Sequence, residues 1–185
     1  MLDQLFHELL AESGRHHHLD RGQTLFHRET PVRSIHLLRR GAVDLVCPQF
    51  DGATLLLHHL SGSGIIAEAS MYAAQYHCDC ICVEPAEVFS IPRKRVKDRL
   101  HRTPELYEHW AAYLAVELQN ARHRSELLVR KTVAERLSGW IDWNGALPPK
   151  GGCKYVAQEI GVTPEALYRE IKKRGGKKTT AQSWV

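Results

Sequence analysis

The chain has 185 residues, a formal charge of +4, 25% charged residues and 43% apolar ones. That balance excludes a disordered or collagen-like chain, and the length suffices for one ordinary domain or two small ones that need no staples. No apolar run approaches the roughly 18 residues that span a bilayer, and Met1 to Glu8 is acidic without the basic start of a secretory leader, so a cytoplasmic protein is expected.

Five cysteines, Cys47, Cys78, Cys80, Cys82 and Cys153, form no CxxC pair, which argues against a disulfide framework or a zinc ribbon. Residues 1–130 hold 15 of the 25 Lys and Arg and 16 of the 21 Asp and Glu, a net −1. Residues 131–185 hold the remaining 10 and 5, a net +5, so positive charge gathers at the C-terminal end.

Leu2, Leu5, Phe6, Leu9 and Leu10 recur at helical spacing, predicting a short amphipathic helix that Ser13-Gly14 can stop. From Leu19 to Ile91 the rhythm changes to short Val-, Ile- and Leu-rich segments punctuated by Gly22, Gly41, Asp51-Gly52, Gly62 and Gly64. Residues 15–92 therefore read as an antiparallel β unit. Val43 and Leu45 alternate with Asp44 before Cys47-Pro48, and Leu55 and Leu57 follow Asp51-Gly52, a dipeptide suited to a two-residue turn, so the two segments read as one hairpin. Cys78 to Val83 and Val88 to Ile91 read as two further strands turning at Glu84-Pro85.

Thr103-Pro104-Glu105 supplies a hydroxyl cap, a first-position proline and an acid in the first turn. A helix over Pro104–Val129 would be ~39 Å long. One apolar stripe runs Trp110, Leu114, Leu118, Ala121, Ser125, Leu128, and a second runs Leu106, Tyr113, Val116, Asn120, His123, Leu127. Two stripes predict two neighbours: the β unit and a partner helix, most simply from a second copy, with the first stripe as the dimer interface. The plainer alternative packs both stripes within one monomer. Val133, Leu137, Trp140 and Ile141 then mark another helix ending near Trp143-Asn144-Gly145, followed by a loop at Pro148-Pro149 and Gly151-Gly152.

Lys154 to Arg174 reads as two short helices around one sharp turn. Val156 and Ile160 form the inner face of the first, Leu167 and Ile171 that of the second. Ala157 is small where they cross, Gly161 can adopt a left-handed backbone, Thr163 caps the second helix and Pro164 opens it. This is the physical pattern of a helix-turn-helix, whose second helix enters the major groove. Glu165 and Arg169 share a face and are suited to cytosine and guanine edges, while Lys172, Lys173, Arg174, Lys177 and Lys178 suit phosphates. Thr163, Pro164, Glu165, Tyr168, Arg169, Lys172 and Lys173 are the candidate DNA-contacting set. The bland alternatives are a surface ion pair between Glu165 and Arg169, worth ~0.3–0.5 kcal/mol, and a solvated basic tail.

A β unit, a long helix and a C-terminal helix-turn-helix, in that order, resemble the Crp/Fnr family of bacterial transcription factors over almost the whole chain. The resemblance rests on Gly22-Gln23-Thr24-Leu25-Phe26, Gly41-Ala42-Val43-Asp44-Leu45, Asp51-Gly52, the cassette-like Ala67-Glu68-Ala69-Ser70-Met71-Tyr72, and Gly161 through Arg169. It implies an α+β fold: a jelly-roll-like antiparallel effector β-roll at 1–102, a dimerisation helix at 103–130 and a helix-turn-helix DNA-binding domain at 131–185. It further implies double-stranded DNA, a second copy, RNA polymerase and a small-molecule effector as partners; no Ser/His/Asp order, phosphate loop or paired-carboxylate motif stands out, so no enzymatic activity is expected and no cofactor is assigned. Glu165 and Arg169 fall on the family's base-reading positions, whereas Pro164 replaces an arginine often found there.

In the cassette, Glu68, Ala69, Ser70, Tyr76 and His77 are the candidate effector residues. Glu68 matches the family's ribose-binding Glu, but the Arg that would hold a cyclic phosphate is missing near Tyr76-His77, so cyclic AMP is not the expected effector. No cysteine precedes Cys47, which argues against the family's iron–sulfur branch. A redox- or metal-responsive regulator working through His77, Cys78, Cys80 and Cys82 is the competing reading. Alternate strand positions ~6.6 Å apart are too distant to share one zinc at ~2.3 Å Zn–S bonds, so buried thiols are favoured and no metal site is assigned. His16-His17-His18 and His58-His59 fit strand or turn surfaces. Gly175 to Val185 is short and lacks alternation, so a reduced wing is expected; a ligand-binding module with a vestigial DNA domain is the remaining alternative.

Overall fold

The computed structural model describes residues 2–12, 14–149 and 151–178. The chain divides into two compact units, with the boundary between Glu117 and Leu118. In the first, helix α1 (Leu2–Leu10) precedes strands β1 (Arg15–Leu19), β2 (Thr24–Phe26), β3 (Ser34–Pro48), β4 (Thr54–Ser61) and β5 (Gly64–Ile66). A 3-10 turn at Glu68–Ser70, strand β6 (Asp79–Pro92) and helix α2 (Arg93–Arg102) follow, then the long helix α3 (Pro104–Val129). Every ladder is antiparallel: β6 lies between β1 and β3, β3 between β6 and β4, with β2 on β6 and β5 on β3.

Alternation of buried residues along β3 and β6 makes two packed layers. One joins Leu5, Leu9, Ile35, Leu37, Ile65 and Ile91 to Leu106 and Trp110 of α3, and the other fills the interior of the roll with Phe26, Leu38, Val43, Leu45, Tyr76, Cys80 and Val88. Burying such side chains is the main favourable term in folding, at about 25 cal/mol per Å² of apolar surface.

Two local expectations need correction. Pro85 does not turn the chain: β6 is one continuous strand of 14 residues. The β3–β6 register slips from Arg40↔Glu87 to Ala42↔Glu84, leaving Pro85-Ala86 opposite Gly41 in a bulge where a missing N–H is tolerated. Gly41, at φ +92°, approaches so closely that a Cβ there would sit 2.2 Å from the Pro85 carbonyl oxygen. Asp51-Gly52 does not form a two-residue turn, because among these two only Gly52 has positive φ, whereas a type I′ turn needs it at both. The loop is wider, closed by the Gln49 N–H donating to Ala53 O and the Ala53 N–H to Asp51 Oδ1. Helix α2 lies between these elements and the long helix; Val96 and Leu100, four apart and buried, tie it to the core.

The second unit holds the end of α3, α4 (Val133–Asn144), α5 (Cys153–Glu159) and α6 (Pro164–Lys178). Thr132 opens α4 with a full capping box: its hydroxyl accepts from the Glu135 N–H at 3.1 Å, and Glu135 Oε2 accepts from the Thr132 N–H at 3.0 Å. Leu127, Leu137, Trp140, Val156, Ala157, Ile160 and Leu167 form its core. Leu127 belongs to the second α3 stripe, as do the buried Leu106 and Tyr113.

Candidate nucleic-acid interface and ligand cassette

The turn between α5 and α6 follows from its residues. Gly161 takes φ +64°, the Val162 N–H donates to Ala157 O at 2.9 Å, and Thr163 caps α6 through its hydroxyl, which accepts from the Ala166 N–H at 3.3 Å. Ala157 is fully buried at the crossing, and Leu167 turns inward. The opposite face of α6 carries Glu165, Tyr168, Arg169, Lys172 and Lys173, all exposed; Thr163 is exposed and Pro164 half-buried. Among the described residues the i,i+4 ion pair on α6 is Glu170 with Arg174, at 3.1 Å, rather than Glu165 with Arg169.

Arg174 corrects the expectation of a phosphate contact. Its guanidinium turns back to α4, where Nη2 donates to Ala134 O at 2.6 Å and to Ser138 Oγ at 3.0 Å. Arg136, not singled out from the sequence, completes the frame: Nε donates to Arg130 O at 2.9 Å, and Nη1 to Ile160 O and Gly161 O at 3.0 and 3.1 Å. These last two acceptors are carbonyls at the end of α5, which lack intrahelical partners. The only sequence signal for this role is an arginine three residues from Val133 on a helix whose cap is strong. The reduced wing expected over Gly175 to Val185 is corrected at its start, since residues 175–178 are the end of α6; the side chains of Lys177 and Lys178, and residues 179–185, lie outside the described residues.

In the first unit the cassette turn is strained. Ala67 has φ +67°, a left-handed conformation that costs an L-residue ~1–2 kcal/mol, and it precedes the Glu68–Ser70 turn. Glu68 is half-buried, Ala69 exposed and Ser70 buried. Burial pushes the Glu68 carboxyl up to about 7, against the pull of its own and the Ala69 amide, and the Glu117 carboxylate adds to the rise. Tyr113, also pushed up by burial, lies in the same field.

Tyr76 and His77 point opposite ways. His77 is exposed, while Tyr76 is buried and stacked on Phe26 with ring centroids 3.8 Å apart. The Tyr76 hydroxyl donates to Ser34 O at 2.8 Å, so His36 Nε2, 3.2 Å away, is the donor to it. That leaves His36 Nδ1 as acceptor from the Ser90 hydroxyl at 2.7 Å, and Ser90 Oγ as acceptor from His17 Nε2 at 2.8 Å. Burial lowers His36 to about 4, consistent with this neutral tautomer. Tyr76 is thus spoken for by the roll's own polar chain, which the sequence did not reveal because its members are spread over four segments.

The cysteine–histidine grouping is not assembled. Cys78, Cys80 and Cys82 are buried, with burial pushing all three thiols up, whereas His77 is exposed. No group of three or more metal-ligating side chains occurs among the described residues. The first α3 stripe is corrected at one end: Trp110 is 2% exposed and belongs to the roll's core, and Leu114 packs against that core, while Leu118, Ala121, Ser125 and Leu128 are exposed.

A cassette-bearing β-roll followed by a long helix and a helix-turn-helix unit defines a two-module regulator-type architecture. Residues 16–103 match the family described as Cyclic nucleotide-binding domain. The chain is 26% identical over 146 residues to the cAMP-activated global transcriptional regulator CRP of Pasteurella multocida, spanning 75% of this chain and 70% of that protein. In fold it is similar to FixK2 from Bradyrhizobium japonicum (TM-score 0.73, 15% identity, 92% of this chain and 89% of that one). It is likewise similar to the c-di-GMP responsive global regulator CLP of Xanthomonas campestris (TM-score 0.69, 16% identity, 95% and 93%). In sequence and fold the chain is thus similar to regulators of the Crp/Fnr type, with an α+β fold of an antiparallel roll and a helical C-terminal unit.

Proposed function

We propose that this chain is a sequence-specific DNA-binding transcription regulator, acting as a homodimer, without enzymatic activity, in the cytoplasm. The observation that carries this reading is the outward face of α6, where Glu165, Tyr168, Arg169, Lys172 and Lys173 stand exposed on a capped helix locked by its own core. Such a face offers two side chains for base edges and two for phosphates. The similarity to a protein named as a transcriptional regulator supports it. The test is selection from random duplexes: enrichment of a paired, two-fold-related sequence is expected, and recovery of unselected sequence refutes it.

The surface between partners is the exposed Leu118, Ala121, Ser125 and Leu128, at three- and four-residue spacing on α3. Small residues there allow close helix approach. Light scattering on the purified chain should find twice the 21.0 kDa protomer mass. RNA polymerase is the proposed protein partner. The β-roll receives a small-molecule signal at Glu68, Ala69 and Ser70, and that signal is not cyclic AMP. Supporting this, Tyr76 is committed internally and His77, the residue beside it, carries no permanent charge. Calorimetry showing micromolar cyclic AMP affinity would overturn the ligand assignment while leaving DNA binding intact.

A further inference from the structure

Cys47 lies near the end of β3, half-buried, and Arg28 Nη1 donates to its Sγ at 3.4 Å. Arg28 is itself held there by its backbone N–H, which donates to Asp79 Oδ1 at 2.6 Å. The β3–β6 ladder pairs Leu45 with Cys80 and Val46 with Asp79. Cys47 and Cys78 are the next residues beyond that last pair, Cys78 just ahead of β6, and the two thiols are close enough to interact electrostatically. Continuation of the register by one step would bring their Cα atoms to ~4.5–5.5 Å, within the ~4.4–6.8 Å that a disulfide accepts. The two sulfurs also differ in character: Cys47 is partly accessible beside a permanent cation, whereas Cys78 is buried, and burial with the neighbouring Asp79 and Cys47 pushes it up to about 11.

We propose that Cys47 and Cys78 form an oxidation site for hydroperoxides, with Cys47 as the attacking sulfur and Cys78 as the resolving one. The Cys47 thiolate attacks the peroxide oxygen; an S–O bond forms, the O–O bond breaks, and the departing alkoxide or hydroxide takes a proton to become an alcohol or water. The resulting sulfenic acid is attacked at sulfur by Cys78, which gives up its proton. An S–S bond forms, the S–O bond breaks, and the leaving hydroxide takes that proton as water. Two thiols are oxidised and one peroxide is reduced by two electrons. A partly exposed sulfur contacted by a guanidinium and next to a resolving thiol is the arrangement such sites require. The bridge would tie the end of β3 to the segment that leads into β6, beside His77.

The sequence makes the test clean, because cleavage before aspartate places Cys47 in residues 44–50, Cys78 in residues 51–78, and Cys80 with Cys82 in residues 79–97. The reduced full chain is treated with equimolar hydrogen peroxide, alkylated and digested without reductant. A linked pair of residues 44–50 and 51–78, lighter by two hydrogen atoms and recovered from monomer-sized chains, is the expected product. It should vanish in Cys47→Ser and Cys78→Ser, persist in Cys153→Ser, and form several-fold more slowly in Arg28→Ala, with Arg28→Lys restoring part of the rate. Unlinked Cys47 sulfinate, a link to residues 79–97, or links found only between chains would each overturn the proposal. The unaltered chain decides the matter by itself should a serine variant fail to fold.

Discussion

Replacing Glu68 by Gln should change how the stability of the β-roll unit depends on pH. Two buried groups there act in opposite senses. Glu68 is raised from 4.5 to about 7, so between those values the unfolded chain releases a proton that the folded chain retains, and stability falls as pH rises. His36 is lowered from 6.5 to about 4, so between those values the unfolded chain holds a proton that the folded chain lacks, and stability rises with pH. From pH 4.5 to 6.5 the two slopes oppose each other, and the native protein should vary less with pH across that window than the His36 slope alone would make it. In Glu68→Gln the His36 slope stands alone. Each pKa unit is worth about 1.36 kcal/mol; because Glu68 is partly open to water, its share is set at about 2 kcal/mol between pH 4.5 and 7.5. Urea unfolding of the β-roll unit at half-unit pH steps, native against variant, reads the difference directly. A variant whose profile superimposes on the native one would refute both the buried carboxyl and the compensation.

Arg169→Ala should cost ~1–3 kcal/mol of discrimination at a single base pair in a duplex selection, leaving preferences elsewhere unchanged. Arg136→Met removes three charged donors from carbonyls of Arg130, Ile160 and Gly161; a loss of about 2 kcal/mol in the second unit is expected, read from urea unfolding followed by Trp140 fluorescence. Glu29→Gly relieves a φ of +66° at an exposed site. After the entropy that glycine adds to the unfolded chain, a gain of ~0.5 kcal/mol should remain, visible as a higher Tm.

Much of the architecture was legible from residue spacing. Thr103-Pro104-Glu105 placed the start of α3, and Gly161 with Thr163 and Pro164 placed the turn before α6, because caps and breakers act within a few residues of themselves. Where long-range pairing decides, local signals misled. Pro85 is a turn signal by itself, yet Gly41 on the neighbouring strand makes room for it within β6. Trp110 sits on the same helical stripe as Leu118, but its indole is claimed by the roll's core. The Tyr76–His36–Ser90–His17 chain was illegible because no spacing rule links residues brought together by sheet register. Arg174 was misassigned for a related reason: a basic residue next to two exposed lysines looks like one more phosphate ligand until the carbonyl it serves on α4 is seen.

The inward arginines also mean that formal charge overstates what a polyanion encounters. Of the cations around α6, Arg136 and Arg174 are spent on bracing the scaffold, while Arg169, Lys172 and Lys173 face outward on α6 itself. Each phosphate neutralised displaces about 0.9 of a condensed counterion from a duplex. The sensitivity of association to ionic strength should therefore follow the outward side chains alone. Substituting Arg174 would loosen the frame while leaving the number of displaced ions almost untouched.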